Sequence, residues 1–347
     1  MDEMALRWIE GFELFGTATG APSQSALENG LSAKWVTTVF SSAAYLQPGR
    51  VLGKSLECQG NSGVLIRRQF ASTKTTWIVG FAMKGNTANS GDIMKIFNSL
   101  ELETNASGQI FVKRSSSTLG SSGDAGGETF VFFDGVWHYI ELKVVIDASS
   151  GSWELRVDGS LSASGTGVNT GTPASLIEFG CQRDGQFLDD IYICDGDGSA
   201  NNDFLGPVFV EGLLPTSDGN SSQWTPSTGT DHFAVIDENP SDLDGTDSLT
   251  TTTQDAKETF GYGNLTGGQS AIFGVQVNTD ARKTTINNQD LRNVARSGTT
   301  ENEDVAVSVT DDVNFATVAS VFEQDPDSLS PWTPAGVDNA EFGFKKD

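Results

Sequence analysis

Histidine and cysteine are nearly missing from these 347 residues: two of the first and three of the second. His138 and His232 stand alone, without metal-ligand spacing or a Ser-His-Asp arrangement, so neither a zinc site nor a nucleophilic relay is supported. Cys58, Cys181 and Cys194 show no C-x-x-C spacing. They are expected as free thiols of a chain made in a reducing cytosol, with Cys58–Cys181 as the first pair to test for a bridge. Basic residues are also scarce, 21 against 46 acidic, for a net charge of −25. Residues 1–210 carry 14 basic and 23 acidic side chains, and 211–347 carry 7 and 23. A field of this sign repels phosphates and excludes nucleic acid as a partner, while favouring solubility. No stretch approaches the ~20 apolar residues of a membrane helix, so no membrane insertion is expected. The opening Met1–Trp8 has no apolar core behind basic residues, so no secretory leader is expected. No glycine-rich loop opens a helix to cradle phosphate.

What the chain does have is glycine, 39 residues, and phenylalanine, 21. They sit among short runs of Val and Ile separated by Ser, Thr, Asn and Asp clusters, the profile of strands joined by turns. The clearest stretch is 135–159. One strand holds Trp137, Tyr139, Leu142, Val144 and Ile146. Ser149-Ser150-Gly151-Ser152 turns the chain, and Trp153, Leu155 and Val157 then alternate with Glu154, Arg156 and Asp158. That period of two predicts one buried face and one wet face. Further strands are expected at 8–13, 35–39, 62–70, 93–97, 100–104, 109–114, 177–180 and 187–193. Residues 76–83, apolar almost throughout, read as a central strand buried on both sides. A polar run from Asp195 to Asp203 separates this set from a second one. In that set Phe204–Val210 reads as an opening strand, followed by 270–278, 290–296, 305–309, 315–323 and 341–345, with a helical turn at 331–340. The fold class is therefore all-β, two antiparallel β-sandwiches, with domains at 1–204 and 205–347 and a boundary within Asp195–Trp224.

The Trp137-His138 pair opening a strand, the short turn, and the strand ending Val157-Asp158-Gly159 resemble the laminin-G/concanavalin-A-like jelly-roll family. The resemblance implies that the last strand, Phe187–Ile193, returns beside the first, Trp8–Glu13. The order of several weaker motifs is similar to that of tailed-bacteriophage virion proteins. These are Asp189-Asp190-Ile191-Tyr192-Ile193, Asn202–Gly206, Ser222–Pro226, Ala281-Arg282-Lys283, Arg296-Ser297-Gly298, Glu323–Pro326 and Trp332–Gly343. That resemblance implies a minor structural protein of the virion, tail- or neck-associated as a fibre or spike, made in the host cytoplasm. It implies a homo-oligomer, a trimer if a fibre, that contacts other virion proteins of tail, neck or capsid and adheres to a host-surface glycan. A ligand-free capsid decoration protein and a glycan-active hydrolase are the alternatives.

Chemistry is thin. A glycosidase needs two acids facing one cleft, and Glu101 with Glu103 is the pair on one strand face; solvent-facing carboxylates are the expectation, and no catalytic residue is assigned. Asp195, Asp197, Asn201 and Asp203, with Gly196 and Gly198 between, place oxygens at alternate residues as a calcium loop begins. No terminal bidentate Glu follows, so an ordinary Asx-rich turn is expected and no cofactor is required. Trp224, Tyr262 and Trp332 are candidate sugar-stacking rings.

Overall fold

The computed structural model describes residues 4–15, 23–40, 43–59, 64–86, 90–126, 132–181, 185–239 and 246–347. It is nearly all β, and the chain falls into two compact units, Met1–Val210 and Glu211–Asp347. Among the described residues no helix is long and apolar enough to cross a membrane.

The first unit runs β1 (Leu6–Glu10), α1 (Gln24–Lys34), β2 (Thr37–Phe40), β3 (Ala43–Pro48), β4 (Lys54–Gln59) and β5 (Val64–Lys74). It continues with β6 (Thr76–Gly85), β7 (Gly91–Ile96), β8 (Glu101–Thr104), β9 (Ile110–Arg114) and β10 (Ser117–Ser121). It ends with β11 (His138–Val145), β12 (Gly151–Val157), β13 (Ser160–Val168), β14 (Ala174–Cys181) and β15 (Gln186–Asp195). An eight-stranded sheet has the order β13-β12-β11-β6-β15-β4-β3, with β1 also on β15; a seven-stranded sheet has the order β10-β9-β8-β7-β14-β5-β2. All pairings are antiparallel.

The two sheets face each other. Phe81 of β6 meets Phe179 of β14 at 5.5 Å between ring centroids, and the indole of Trp77 donates to Ala174 O at 3.0 Å. In the β11–β12 hairpin the cross-strand pairs Ile140–Val157, Leu142–Leu155 and Val144–Trp153 are all buried. Buried cross-strand apolar pairs of this kind are the unit of sheet stabilisation. Asp147 accepts from the N–H groups of Ser149 and Ser150, at 2.8 and 2.7 Å, and so fixes the turn. β1 returns to β15, Trp8 opposite Ile193 and Glu10 opposite Ile191.

Several segments differ from the sequence reading. Residues 24–34, where no element is expected from the sequence, form α1, capped where Ser23 Oγ accepts from Ala26 N at 3.2 Å. Leu27, Leu31 and Lys34, spaced by four and three, face the core. β3, β4, β10 and β13 had no strong apolar alternation; β13 carries SLSASGTGV and is held by its ladder to β12. Phe204–Val210 is not a strand and belongs to the first unit. Cys181 is disulfide-bonded, against the expectation of three free thiols, whereas Cys194 keeps a buried thiol outside any disulfide. The side chain of Cys58 lies outside the described residues.

The second unit contains β16 (Pro215–Ser222), β17 (Thr225–Pro226), β18 (Leu249–Thr250), β19 (Lys257–Tyr262), β20 (Val275–Ala281) and β21 (Gln289–Ser297). β22 (Thr300–Glu303), β23 (Val307–Val309), β24 (Ala316–Phe322), α2 (Pro334–Asp338) and β25 (Glu341–Lys346) follow. The sheet β16-β19-β25-β21-β22, with β23 on β21, packs against the β20–β24 pair. Fully buried Asn293 of β21 ties the layers, donating to Val277 O and Val318 O, both at 3.0 Å.

Candidate metal centre and binding face

The bulge in β15 makes the first site. Register shifts between Asp189 and Tyr192, and Asp190 sits at φ 49°, in the left-handed region. Consecutive strand residues normally point to opposite faces; the bulge cancels that alternation, so Asp189 and Asp190 both join Glu13. Each residue offers a carboxylate oxygen, and the three oxygens lie within 4.8 Å of one another. Asp189 and Asp190 are 1% and 2% exposed. Arg50 is the local cation, its N–H on Asp189 Oδ2 at 2.7 Å and its Nε on Asp190 Oδ2 at 2.8 Å. Asp189 Oδ1 accepts from Asp190 N at 2.8 Å, whereas Glu13 Oε1 is buried without a donor. Gly53, at φ 59°, lets the loop pass Glu13; a Cβ there would stand 2.2 Å from Glu13 Cγ.

Three carboxylates against one guanidinium leave an excess of negative charge in a dry site. Burial, then the neighbouring Asp189, pushes Glu13 up to about 10. Burial raises Asp189 and Asp190 as well. The donor set is oxygen only, with one oxygen unsatisfied, and suits a hard divalent cation such as calcium. With Asp189 and Asp190 this deeply buried, a sugar ring has no room between the acids.

Residues 203–210 cross the outer face of the eight-stranded sheet beside this cluster. Val210 N donates to Asp190 Oδ1 at 2.8 Å, Gly206 N to Glu141 Oε1 at 2.9 Å, and Leu205 N to Tyr192 Oη at 3.2 Å. Arg50 Nη2 donates to Val208 O, and Phe204 stacks on the Arg156 guanidinium at 4.1 Å. This strap explains why Tyr139, Glu141 and Tyr192, which face away from the sheet–sheet core, are buried. Tyr192 donates to Glu141 Oε1 at 2.5 Å, and burial raises the Glu141 carboxyl.

Clear of the strap, the same face carries a row across four strands. Tyr45 stands opposite Glu57, Glu57 opposite Phe187, and Phe187 opposite Lys84. Trp137, just before β11, completes it: its ring lies 6.2 Å from that of Phe187. Lys84 Nζ sits 4.1 Å from the Phe187 centroid and 5.1 Å from that of Trp137. Gln47 Nε2 donates to Glu57 Oε2 at 2.7 Å. Tyr45 is 40% exposed, whereas Glu57 and Phe187 are buried, at 8% each.

The residues singled out from the sequence lie elsewhere. Asp195 is fully buried and bound by Arg7 Nε at 2.7 Å and Lys74 Nζ at 3.1 Å. Asp197 binds the same two cations. Asp203 pairs with Lys143 at 2.9 Å, and Asn201 occupies a left-handed turn position, φ 54°. The protein's own cations thus hold the three aspartates, and among the described residues Glu13, Asp189 and Asp190 form the acidic group close enough to share an ion. Glu101 pairs with Lys95 at 2.9 Å, and Glu103 with Lys113. Trp224 and Trp332 turn their indoles inward, onto Ala256 O at 3.0 Å and Phe322 O at 2.9 Å, and Tyr262 packs on Phe342. They are packing residues, not open sugar platforms. His138 is a clip between Asp158 and Asp134, at 2.8 and 3.3 Å. Ser222, His232 and Glu258 do meet, but Ser222 Oγ and Glu258 Oε2 both approach Nδ1, at 3.1 and 3.0 Å. A relay needs opposite ring nitrogens.

No protein-family model and no curated protein matches the chain. Among solved structures it is similar to domain 4 of an extracellular arabinanase from Geobacillus stearothermophilus in complex with arabinotriose. That match has 13% identity and a TM-score of 0.36, over 57% of this chain and 96% of that one. A sialidase matches at 11% identity and TM-score 0.36, over 56% of this chain and 18% of its own. The Bacillus licheniformis β-glucanase matches at 11% identity and TM-score 0.27, over 40% and 72%.

Proposed function

We propose that this chain acts by binding, with a surface glycan as ligand, on the outer face of the eight-stranded sheet of its first unit. The row Tyr45–Glu57–Phe187–Lys84–Trp137 carries the reading. The exposed Tyr45 ring and the half-buried Trp137 ring offer flat apolar area to the C–H face of a sugar, and the Lys84 ammonium offers donors to its hydroxyls, while Glu57 and Phe187 are buried and support the row from beneath. Bond cleavage is not part of the proposal: Glu101 and Glu103 are each tied to a lysine. The buried acid trio serves as a structural cation site. The setting we propose is the virion, on a tail- or neck-associated component; this rests on the sequence resemblance alone.

Calorimetric titration with fragments of host capsule or lipopolysaccharide tests the proposal. Saturable binding is expected, weakened at least about tenfold by Trp137→Ala with the melting temperature unchanged. Absence of binding would return the chain to the ligand-free decoration role. Release of shorter glycans, lost in Glu101→Gln or Glu103→Gln, would make it a hydrolase. Imaging of virions with the protein labelled tests the setting.

A further inference from the structure

His138 opens β11 opposite Met83 of β6, directly after Trp137, and a carboxylate stands at each of its ring nitrogens. On one side Nδ1 lies 2.8 Å from Asp158 Oδ2. Asp158 is fixed in place. It occupies a left-handed turn position, φ 51°; its Oδ1 accepts from Tyr139 N and its own N–H donates to Tyr139 O, both at 2.8 Å. On the other side Nε2 faces both oxygens of Asp134, at 3.4 and 3.3 Å. Asp134 belongs to the loop 132–137 that delivers Trp137 to the outer face. The same loop is tied at Phe132 N to Gly108 O, 2.8 Å, and at Gly135 N to Gly85 O, 3.1 Å. Within it Val136 N donates to Asp134 Oδ1 at 2.8 Å.

A neutral imidazole has one N–H and one lone pair; the imidazolium has two N–H groups. The shorter contact, to the fixed Asp158, takes the single N–H of the neutral ring. The Nε2 lone pair then opposes the Asp134 carboxylate. Protonation converts that lone pair into a donor, and one ring grips both aspartates. Neither aspartate has a lysine or arginine within ion-pair distance among the described residues. β6 sets uncharged Met83 opposite the histidine, while Lys84, the next residue, turns to the outer face over Trp137 and Phe187. The proton on His138 therefore decides whether the segment 134–138, with Trp137 inside it, is closed at both ends.

We propose that His138 is a proton-operated clasp: protonated, it bridges Asp134 and Asp158, seats Trp137 and tightens glycan binding, and deprotonated it releases Asp134 and weakens binding. The affinity half of this proposal rests on the glycan reading of the outer face. The clasp is half open to water, with Asp134 at 40% and Asp158 at 52% side-chain exposure, so its effect is modest, about threefold in affinity. Histidine suits the task because its charge changes between about pH 5 and pH 8.

Two measurements on the full chain test this, each comparing wild type with Asp134→Asn at about pH 5.5 and about pH 8. The asparagine still accepts from Val136 N but loses the charge, so the turn survives. The acid trio titrates in both proteins, and the comparison cancels it. Hydrogen exchange over 134–137 needs no glycan. At the lower pH wild type is expected to exchange more slowly than Asp134→Asn, and at the higher pH the two should match. Calorimetric titration with capsule or lipopolysaccharide fragments should then show wild-type affinity falling about threefold between the two pH values, with Asp134→Asn and His138→Gln weaker and flat. Equal exchange in the two proteins at both pH values overturns the clasp. Exchange that follows pH while wild-type affinity does not overturns its link to binding. If no glycan binds at either pH, the glycan reading and the affinity half fall together, and exchange alone decides the clasp. Should His138→Gln misfold, Asp134→Asn carries both measurements.

Discussion

Lys34 Nζ lies 2.9 Å from Glu10 Oε2, with both side chains at least 95% buried, at 5% and 3% exposed. The pair joins α1 to β1 inside the first unit, and Lys34 also sits 5.6 Å from the Trp8 ring centroid. Removing one partner leaves an unpaired buried charge. Lys34→Met is expected to cost about 3–5 kcal/mol, and adding Glu10→Leu to recover most of it. Denaturant unfolding followed by Trp8 and Trp35 fluorescence measures both; equal midpoints for single and double variants would contradict the assignment.

Gly80 has no room for a side chain. A Cβ there would lie 2.1 Å from the buried Tyr192 ring, which is held between Glu141 and the stacked Tyr139. Gly80→Ala is expected to destabilise by about 1–3 kcal/mol through overpacking. Hydrogen exchange should also rise at Leu205, whose N–H uses the Tyr192 hydroxyl.

The acid trio makes stability depend on pH in an uncommon direction. Glu13 is raised from 4.5 to about 10, so its proton is held more tightly folded than unfolded. That contribution is fully present below the unfolded value and is lost as pH rises through the folded one. In chelator, the melting temperature of the first unit should fall as pH rises from about 5 to about 10. Glu13→Gln should flatten the profile.

Calcium binding at the trio is expected to displace those protons. Millimolar calcium at neutral pH is expected to raise the wild-type melting temperature by mass action, to do nothing for Glu13→Gln, and to act fully on Asp197→Ala. An effect lost in Asp197→Ala would move the ion to the Asp195–Asp203 loop.

Thiol counting separates the redox states. With Cys181 in a disulfide and Cys194 a thiol, non-reducing denaturing mass spectrometry of this three-cysteine chain should find one alkylatable sulfur. Three would restore the reducing-cytosol reading.

Buried strands announced themselves in the sequence because their composition is dictated by the core: Thr76–Gly85 and the 138–157 hairpin are apolar where they must be. Edge strands such as Ser160–Val168 did not, because backbone pairing holds them and small residues suffice. The candidate sites were harder to read. Asp189-Asp190 stood out as a motif, but the bulge that turns both acids one way is a backbone event without a periodic signature. Glu13 and Arg50 reach the cluster from 176 and 139 residues away from Asp189 along the chain. The Asp195–Asp203 run had the spacing of an ion loop, yet Arg7, Lys74 and Lys143, all remote in sequence, hold its carboxylates. Tyr45, Glu57, Phe187 and Lys84 line up only once four strands are in register.

The pairing of β15 with β6, β4 and β1 also sets a schedule for synthesis. β1 leaves the ribosome some 180 residues before the strand it pairs with. Until Cys194 has emerged, the edge of β6 away from β11 lacks its neighbour and β1 has none of its ladder. Long-range closure of this kind is slow and leaves sticky edges exposed. Nascent chains truncated before residue 186 should therefore engage chaperones or aggregate, while chains extended past the strap are released folded.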